Sequence, residues 1–169
     1  MSNKEKCMKA AIYPGSFDPI TNGHLSIIRR GREIFDQVIV AVAINSEKEG
    51  LFTIAERIAM VNEVVGDMEG VSVDTFEGLL VDYVQKNNHN VILRGLRALS
   101  DFEYEFQLAL MNRKLAGDVQ SVFLMTDYKW FYVSSTIIKE AARLGGNISG
   151  LVPPTVEKRL AEKYHGATG

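Results

Sequence analysis

Apolar and polar positions fall in blocks along this chain. The run Gln37–Ile44, QVIVAVAI, is almost continuously apolar and β-branched. Such a run fits a strand buried on both faces, as in a parallel sheet. Shorter runs at Lys9–Tyr13, VSVDTF (71–76), VILR (91–94) and VQSVFLM (119–125) read as four more strands. Between them the apolar positions recur at helical spacing. One helix is expected from about Gly23 to Phe35, with Ile27, Ile28, Ile34 and Phe35 near one face. Thr53 and Glu56 form a capping-box pattern ahead of IAERIAMVNEVV. A short helix fits LLVDYVQKN (79–87), and Ser100 with Glu103 predicts a second capping box opening a long helix to about Leu115. On that helix Phe102 and Phe106 lie four apart and are expected in the core. Ser134–Leu144 is helical and stops at Gly145-Gly146, and a last amphipathic helix follows the Pro153-Pro154 turn.

Strand and helix therefore alternate through five strands. The expected fold class is α/β: a doubly wound, parallel five-stranded sheet of Rossmann-like type, with ligands at the carboxyl ends of the strands. No repeat, low-complexity segment or linker interrupts the pattern, so residues 1–169 are read as one domain.

Composition narrows the function classes. Hydrophobic residues make up 46% and charged residues 24%, which fits a soluble globular protein. A formal net charge of −2 leaves no basic excess for nucleic acid or an anionic membrane. The one cysteine, Cys7, excludes an intrachain disulfide and multi-cysteine zinc sites. His24, His89 and His165 lack metal-binding spacing, and no protein-built metal site is expected. The N-terminus, MSNKEKCMKAAIY, lacks the apolar stretch of a signal peptide. A cytoplasmic setting is the expectation.

The loop after the first strand is the preferred phosphate site of such a fold. It reads YPGSFDPITNGH, with neither a G-x-x-x-x-G-K-[ST] nor a G-x-G-x-x-G pattern. Gly15 allows close backbone approach, and Ser16 adds a hydroxyl. Gly23 falls where a side chain would obstruct the helix start. His24 sits in the first turn, where free N–H groups and the helix dipole favour an anion.

Two further stretches are candidates. In VILRGLRALSDFEYEFQLALMNRKL (91–115), Arg94 ends a strand and Arg97 follows across Gly95. Their planar guanidiniums suit phosphate oxygens, and the alternative is a pair of surface arginines with helix carboxylates nearby. Glu105 could orient a ribose or a cation, or be solvated, and Asn112 shares its face. In WFYVSSTIIKEAARLGG (130–146), Ser134, Ser135 and Thr136 open a helix. Ordinary capping accounts for one of the three hydroxyls. Trp130 is an adenine neighbour or a packing residue, and Lys139 a phosphate contact or simply exposed. Lys48, in the loop NSEKEGLFT, could reach a phosphate or be solvated.

Thr21-Asn22-Gly23-His24 resembles the T-x-G-H signature of nucleotidylyltransferases. Together with RGLRA, DFEYEFQLALMNR and SSTIIKE, in that order, the chain resembles the phosphopantetheine adenylyltransferase family from Ala10 to about Pro153. The resemblance implies transfer of the adenylyl group of ATP to 4′-phosphopantetheine, giving dephospho-coenzyme A and pyrophosphate, with Mg²⁺. It implies catalytic roles for His24, Lys48 and Arg94. It places Ser16, Phe17, His24, Gly95, Leu96, Arg97, Glu105 and the run Trp130, Phe131, Tyr132, Val133, Ser134, Ser135, Thr136 at ATP. It places Ser16, Lys48, Leu80, Arg94 and Asn112 at phosphopantetheine. A homohexamer and feedback by coenzyme A are implied as well. Ser16 stands where threonine is commoner in the family.

Overall fold

Each apolar run becomes a strand because its residues find partners on both faces of one sheet. The structure is a computed structural model that describes residues 9–44 and 50–166, with side chains except at 99 and 100. The strands are β1 (Ala10–Gly15), β2 (Gln37–Ile44), β3 (Val71–Glu77), β4 (Val91–Leu96) and β5 (Gln120–Met125). The helices are α1 (Asn22–Ile34), α2 (Ile54–Val65), α3 (Leu80–Lys86), α4 (Leu99–Leu115), α5 (Ser135–Arg143) and α6 (Pro154–His165). A 3-10 turn over Tyr128–Trp130 precedes α5.

All five strands are parallel, in the order β3-β2-β1-β4-β5. Along β2 the side chains of Val38, Val40 and Val42 enter one core, and Ile39 and Ala41 enter the other. The first core also takes Ile27 and Ile28 of α1, Val61 of α2 and Ile138 of α5. The second takes Val81 and Val84 of α3. The chain steps outward from β1 through β2 to β3, then returns to β4 on the other side. That reversal places a crevice between the carboxyl ends of β1 and β4.

Some boundaries and burials differ from the expectation. β1 continues to Gly15 because Pro14 and Gly15 still pair with Ala41 and Val42. β4 continues past Arg94 to Leu96, since Gly95 and Leu96 pair with Leu124 and Met125. Thr53 and Glu56 form their capping box. The Ser100–Glu103 box does not open α4. That helix begins at Leu99, with Ala98 at the cap, and Asp101 accepts the Arg97 N–H at 3.3 Å instead. Ile34 is exposed although Phe35 is buried. Phe102 and Phe106 are also exposed: they stack on each other at 5.7 Å, outside the core of this chain.

Candidate functional site

The first loop positions His24 through the way α1 begins. Thr21 is the N-cap, with extended backbone, and its hydroxyl accepts the His24 backbone N–H at 3.4 Å. The Thr21 backbone N–H donates back to His24 Nδ1 at 3.0 Å. This is a capping box closed by an imidazole, in place of the usual Glu or Gln. A backbone N–H can only donate, so Nδ1 must accept, and the ring proton sits on Nε2. Burial, with Arg97 adding repulsion, lowers the His24 pKa to about 4. The imidazole is therefore a neutral donor at neutral pH. Phe17 backs it, with ring centroids 5.1 Å apart. Phe17 itself holds a left-handed backbone at φ 45°.

A cavity of about 350 Å³ opens at the carboxyl ends of β1 and β4. It brings together Ser16, His24, Arg94, Gly95, Arg97, Glu105, Val133, Ser134, Ser135 and Thr136. A second cavity of about 180 Å³ is lined by Leu80, Arg94, Glu105, Leu108, Ala109, Asn112 and Ser121. Arg94 and Glu105 line both, so their side chains form the wall where the two cavities meet.

That wall is an ion pair. Arg94 Nε and Nη2 donate to the two carboxylate oxygens of Glu105 in the fork geometry typical of Arg and carboxylate. Burial works against the charge on Arg94, but the Glu105 hydrogen bonds outweigh it and the guanidinium is held more firmly protonated. Arg94 Nη1 also reaches the Pro14 carbonyl at 3.4 Å. Arg97 is held in the same manner, by Asp101 at 3.0 Å and by the Val133 carbonyl at 3.3 Å. The sequence offers several helix carboxylates near the two arginines without pairing them; the structure gives Arg94 to Glu105 and Arg97 to Asp101. An entering phosphate must compete for Arg94 with Glu105.

The three hydroxyls at the start of α5 divide their tasks. Ser134 caps the helix by accepting from the Ile137 N–H at 3.1 Å. Ser135 donates to the Pro19 carbonyl at 2.8 Å and so ties α5 to the first loop. Thr136 lines the cavity.

Several other predicted residues line neither cavity. Phe17 and Leu96 are buried, while Phe131 and Tyr132 are exposed, and none of the four lines either cavity. Trp130 packs against the first core, and Lys129 sits 5.4 Å from its ring. Lys139 is paired with Asp18 at 2.8 Å. Lys48 lies outside the described residues. A Cβ on Gly23 would meet protein atoms only at 3.5 Å or more, so protein crowding does not require that glycine. Gly95 differs: a Cβ there would come within 2.8 Å of Ile27 on α1.

Sequence reasoning missed several residues that matter to this geometry. Tyr13 lines the large cavity as a buried phenol whose pKa burial pushes well up. Thr126 stands one residue past β5, and its hydroxyl points to the Gly23 carbonyl at 3.5 Å. A threonine immediately after a strand of a parallel sheet was a readable signal for that edge. Asp101, four residues after Arg97, was readable as a carboxylate within that arginine's reach, and it meets Arg97 from the first turn of α4.

The comparisons with known proteins give the family and the fold. Residues 12–141 match the Cytidylyltransferase-like family. The phosphopantetheine adenylyltransferase of Nitratidesulfovibrio vulgaris is 66% identical over 92% of this chain and 84% of its own length. Those of Syntrophus aciditrophicus and Geotalea daltonii are 64% and 60% identical, over 92% and 94% of this chain and 94% and 98% of theirs. A solved chain from Vibrio parahaemolyticus, assigned as a nicotinate-nucleotide adenylyltransferase, superposes with a TM-score of 0.67. It covers 95% of this chain and 97% of that one at 20% identity, a likeness that speaks for the fold. These relatives and the family match make the chain a member of the phosphopantetheine adenylyltransferase family, nucleotidyltransferases with a cytidylyltransferase-like fold.

Proposed function

We propose that this chain transfers the adenylyl group of ATP to 4′-phosphopantetheine, giving dephospho-coenzyme A and pyrophosphate. The observation that carries the reading is the pair of cavities sharing the Arg94–Glu105 wall. The larger holds the donors suited to a nucleotide triphosphate. The smaller is mostly apolar, with Asn112 and Ser121 as polar points, and suits a slender amide-bearing arm. Their junction is where the two phosphates would meet.

The chemistry needs no protein nucleophile. A phosphate oxygen of 4′-phosphopantetheine forms a bond to the α-phosphorus of ATP. The bond from that phosphorus to the α,β-bridging oxygen breaks, and pyrophosphate leaves with the electron pair. The difficulty is to bring two polyanions into line and stabilise the charge that develops. His24 Nε2–H donates to the α-phosphate oxygens in the transition state. Arg94, released from Glu105, holds the incoming phosphate, and the family resemblance assigns Lys48 to the same phosphate. Arg97 and the Ser134–Thr136 turn hold the β- and γ-phosphates, and Ser16 serves the junction. Leu80 and Asn112 would contact the pantetheine arm, with Gly95 and Val133 framing the adenosine side.

The donor set bears on the metal. Among the described residues no three acidic, histidine or cysteine side chains cluster as ligands. Glu105 and Asp101, the carboxylates at the site, are each taken by an arginine. This fits Mg²⁺ that arrives on the triphosphate, held by phosphate oxygens and water with the Ser134–Thr136 hydroxyls nearby. The ion would supply charge neutralisation on the leaving group.

The same reading extends to coenzyme A as a feedback ligand, since it carries the pantetheine arm that the smaller cavity suits. It extends to self-association, supported by the exposed apolar side chains of α4, with the homohexamer taken from the family resemblance. Among the described residues no helix is long and apolar enough to cross a membrane, which accords with work in the cytoplasm.

The test is pyrophosphate release from ATP and Mg²⁺ with 4′-phosphopantetheine in one tube and nicotinamide mononucleotide in another. Release with phosphopantetheine alone is expected. Release with the mononucleotide alone would keep the fold and His24 but discard the assignment of the smaller cavity.

A further inference from the structure

We propose that Asp18 is a positioning residue for the transfer reaction: its carboxylate fixes the first loop to α5 through Lys139 in the middle of that helix, and so sets the spacing between His24 and the Ser134–Thr136 turn. The proposal rests on the reading of the larger cavity as the adenylyl-transfer site. Asp18 does not line that cavity and would act through the residues that do.

The contacts of Asp18 converge from three parts of the chain. Its carboxylate accepts the Leu51 N–H at 3.0 Å and the Phe52 N–H at 2.9 Å, on the segment entering α2. Lys139 of α5 donates to it at 2.8 Å. Arg57 of α2 lies 3.4 Å away. The neighbours of Asp18 are tied to the same elements. Arg57 reaches the Ser16 carbonyl at 3.5 Å, and Ser135 donates to the Pro19 carbonyl at 2.8 Å. Ser16 and Ser135 both line the cavity. The loop is thus held on each side of Asp18, and one of those ties ends on the α5 turn.

Two local features show how closely this cluster is built. A Cβ on Gly50 would fall 1.6 Å from Arg57 Nη2 and 2.9 Å from a carboxylate oxygen of Asp18, so the backbone at 50 closes directly over the charges. Phe17, next to Asp18, is a buried non-glycine residue at φ 45°, a conformation that persists only where the surroundings dictate it. Burial pushes the Asp18 pKa up, but the Lys139 and backbone hydrogen bonds outweigh that and hold it below the ordinary carboxylate value. The carboxylate is ionised, and its charge is used to gather donors. Buried ion pairs stabilise little over a well-packed apolar cluster of the same shape. What a carboxylate adds is a fixed geometry for the groups around it.

Asp18→Asn keeps the shape and removes the charge. We expect a fall in kcat of roughly 10- to 100-fold, the size that a small misplacement of reacting groups produces. KM for either substrate should move by no more than about threefold. The far-ultraviolet circular dichroism should be unchanged. Lys139→Met removes the α5 end of the same tie and should lower kcat in the same direction. The double variant should be no slower than Asp18→Asn alone. A kcat within about twofold of the parent in Asp18→Asn, or losses that multiply in the double variant, would overturn the proposal. If Asp18→Asn fails to fold, Lys139→Met decides alone, and unchanged turnover there overturns it. Trp130, the one tryptophan of the chain, gives a readout without turnover, because its Cβ lies 3.7 Å from where a Gly23 Cβ would sit. Its emission should shift to the red in Asp18→Asn. If the parent protein transfers no adenylyl group, the functional reading fails, and unchanged Trp130 emission would then overturn the role of Asp18 separately.

Discussion

The start of α1 and the length of α4 are built on opposite terms. At the start of α1, polar groups are buried and satisfy one another. Thr21 caps His24, His24 answers the Thr21 N–H, and Asp18 gathers two N–H groups and two cations. On α4, Phe106, Leu110, Met111 and Leu115 remain about half exposed, at 47–57%. The first region is complete within one chain. The second has apolar surface that the described residues do not cover, while Glu105 on the same helix reaches inward to Arg94. A helix can therefore serve the site with one side chain and offer the rest of its length to a partner.

The comparison can be broken most severely at His24. His24→Ala removes a donor aimed at the charge of the transition state, and loss of one such donor costs about 100- to 1000-fold in kcat. ATP binding should change little, because the other phosphate donors remain. Steady-state kinetics with ATP titration checks both, and unchanged turnover would remove His24 from the mechanism.

The shared wall comes next. Arg94→Gln should raise KM for 4′-phosphopantetheine by at least about tenfold, as expected for loss of a charged hydrogen bond. Glu105→Gln frees Arg94 from its competitor, so inorganic phosphate should bind that variant more tightly than the parent, as isothermal titration can show. On α4, Leu110→Glu with Phe106→Glu should shift the sedimentation profile towards monomer while the circular dichroism stays native. A monomeric parent protein would sink the oligomer reading without touching the site.

The smallest effects concern the cap. Thr21→Val deletes the hydroxyl cap and should cost about 1 kcal/mol in unfolding free energy, measured in urea. The His24 imidazole should titrate in NMR near pH 4, with the proton on Nε2 in the neutral form. Its folded pKa lies below the unfolded value of about 6.5, so the unfolded chain takes up the proton first. That contribution to stability is full above about pH 6.5 and is lost as the pH falls towards 4. His24→Asn should flatten that slope.

The sequence made the sheet legible because buried parallel strands are written as unbroken apolar runs, as in QVIVAVAI. It was less clear where a small residue interrupts a run. Gly95 cut β4 short on the page, although Gly95 and Leu96 remain paired with β5. The start of α4 was misplaced because a Ser-x-x-Glu pattern suggests a cap, whereas here Asp101 serves the Arg97 N–H. His24 and the arginines could be read from type and position. Their partners were harder: the Arg94–Glu105 fork and the Asp18 cluster join residues 11 to 121 positions apart, which no local spacing encodes. Phe102 and Phe106 show the converse. Helical spacing says that two rings share a face, but not whether the chain itself covers it.

The most direct measurement is the stereochemistry at the α-phosphorus. ATP carrying sulfur in one configuration at that position is converted with 4′-phosphopantetheine, and the configuration of the product is determined. Direct in-line transfer between the two cavities predicts inversion. Retention would mean two displacements and a covalent adenylyl-enzyme, and would contradict an account in which no side chain attacks.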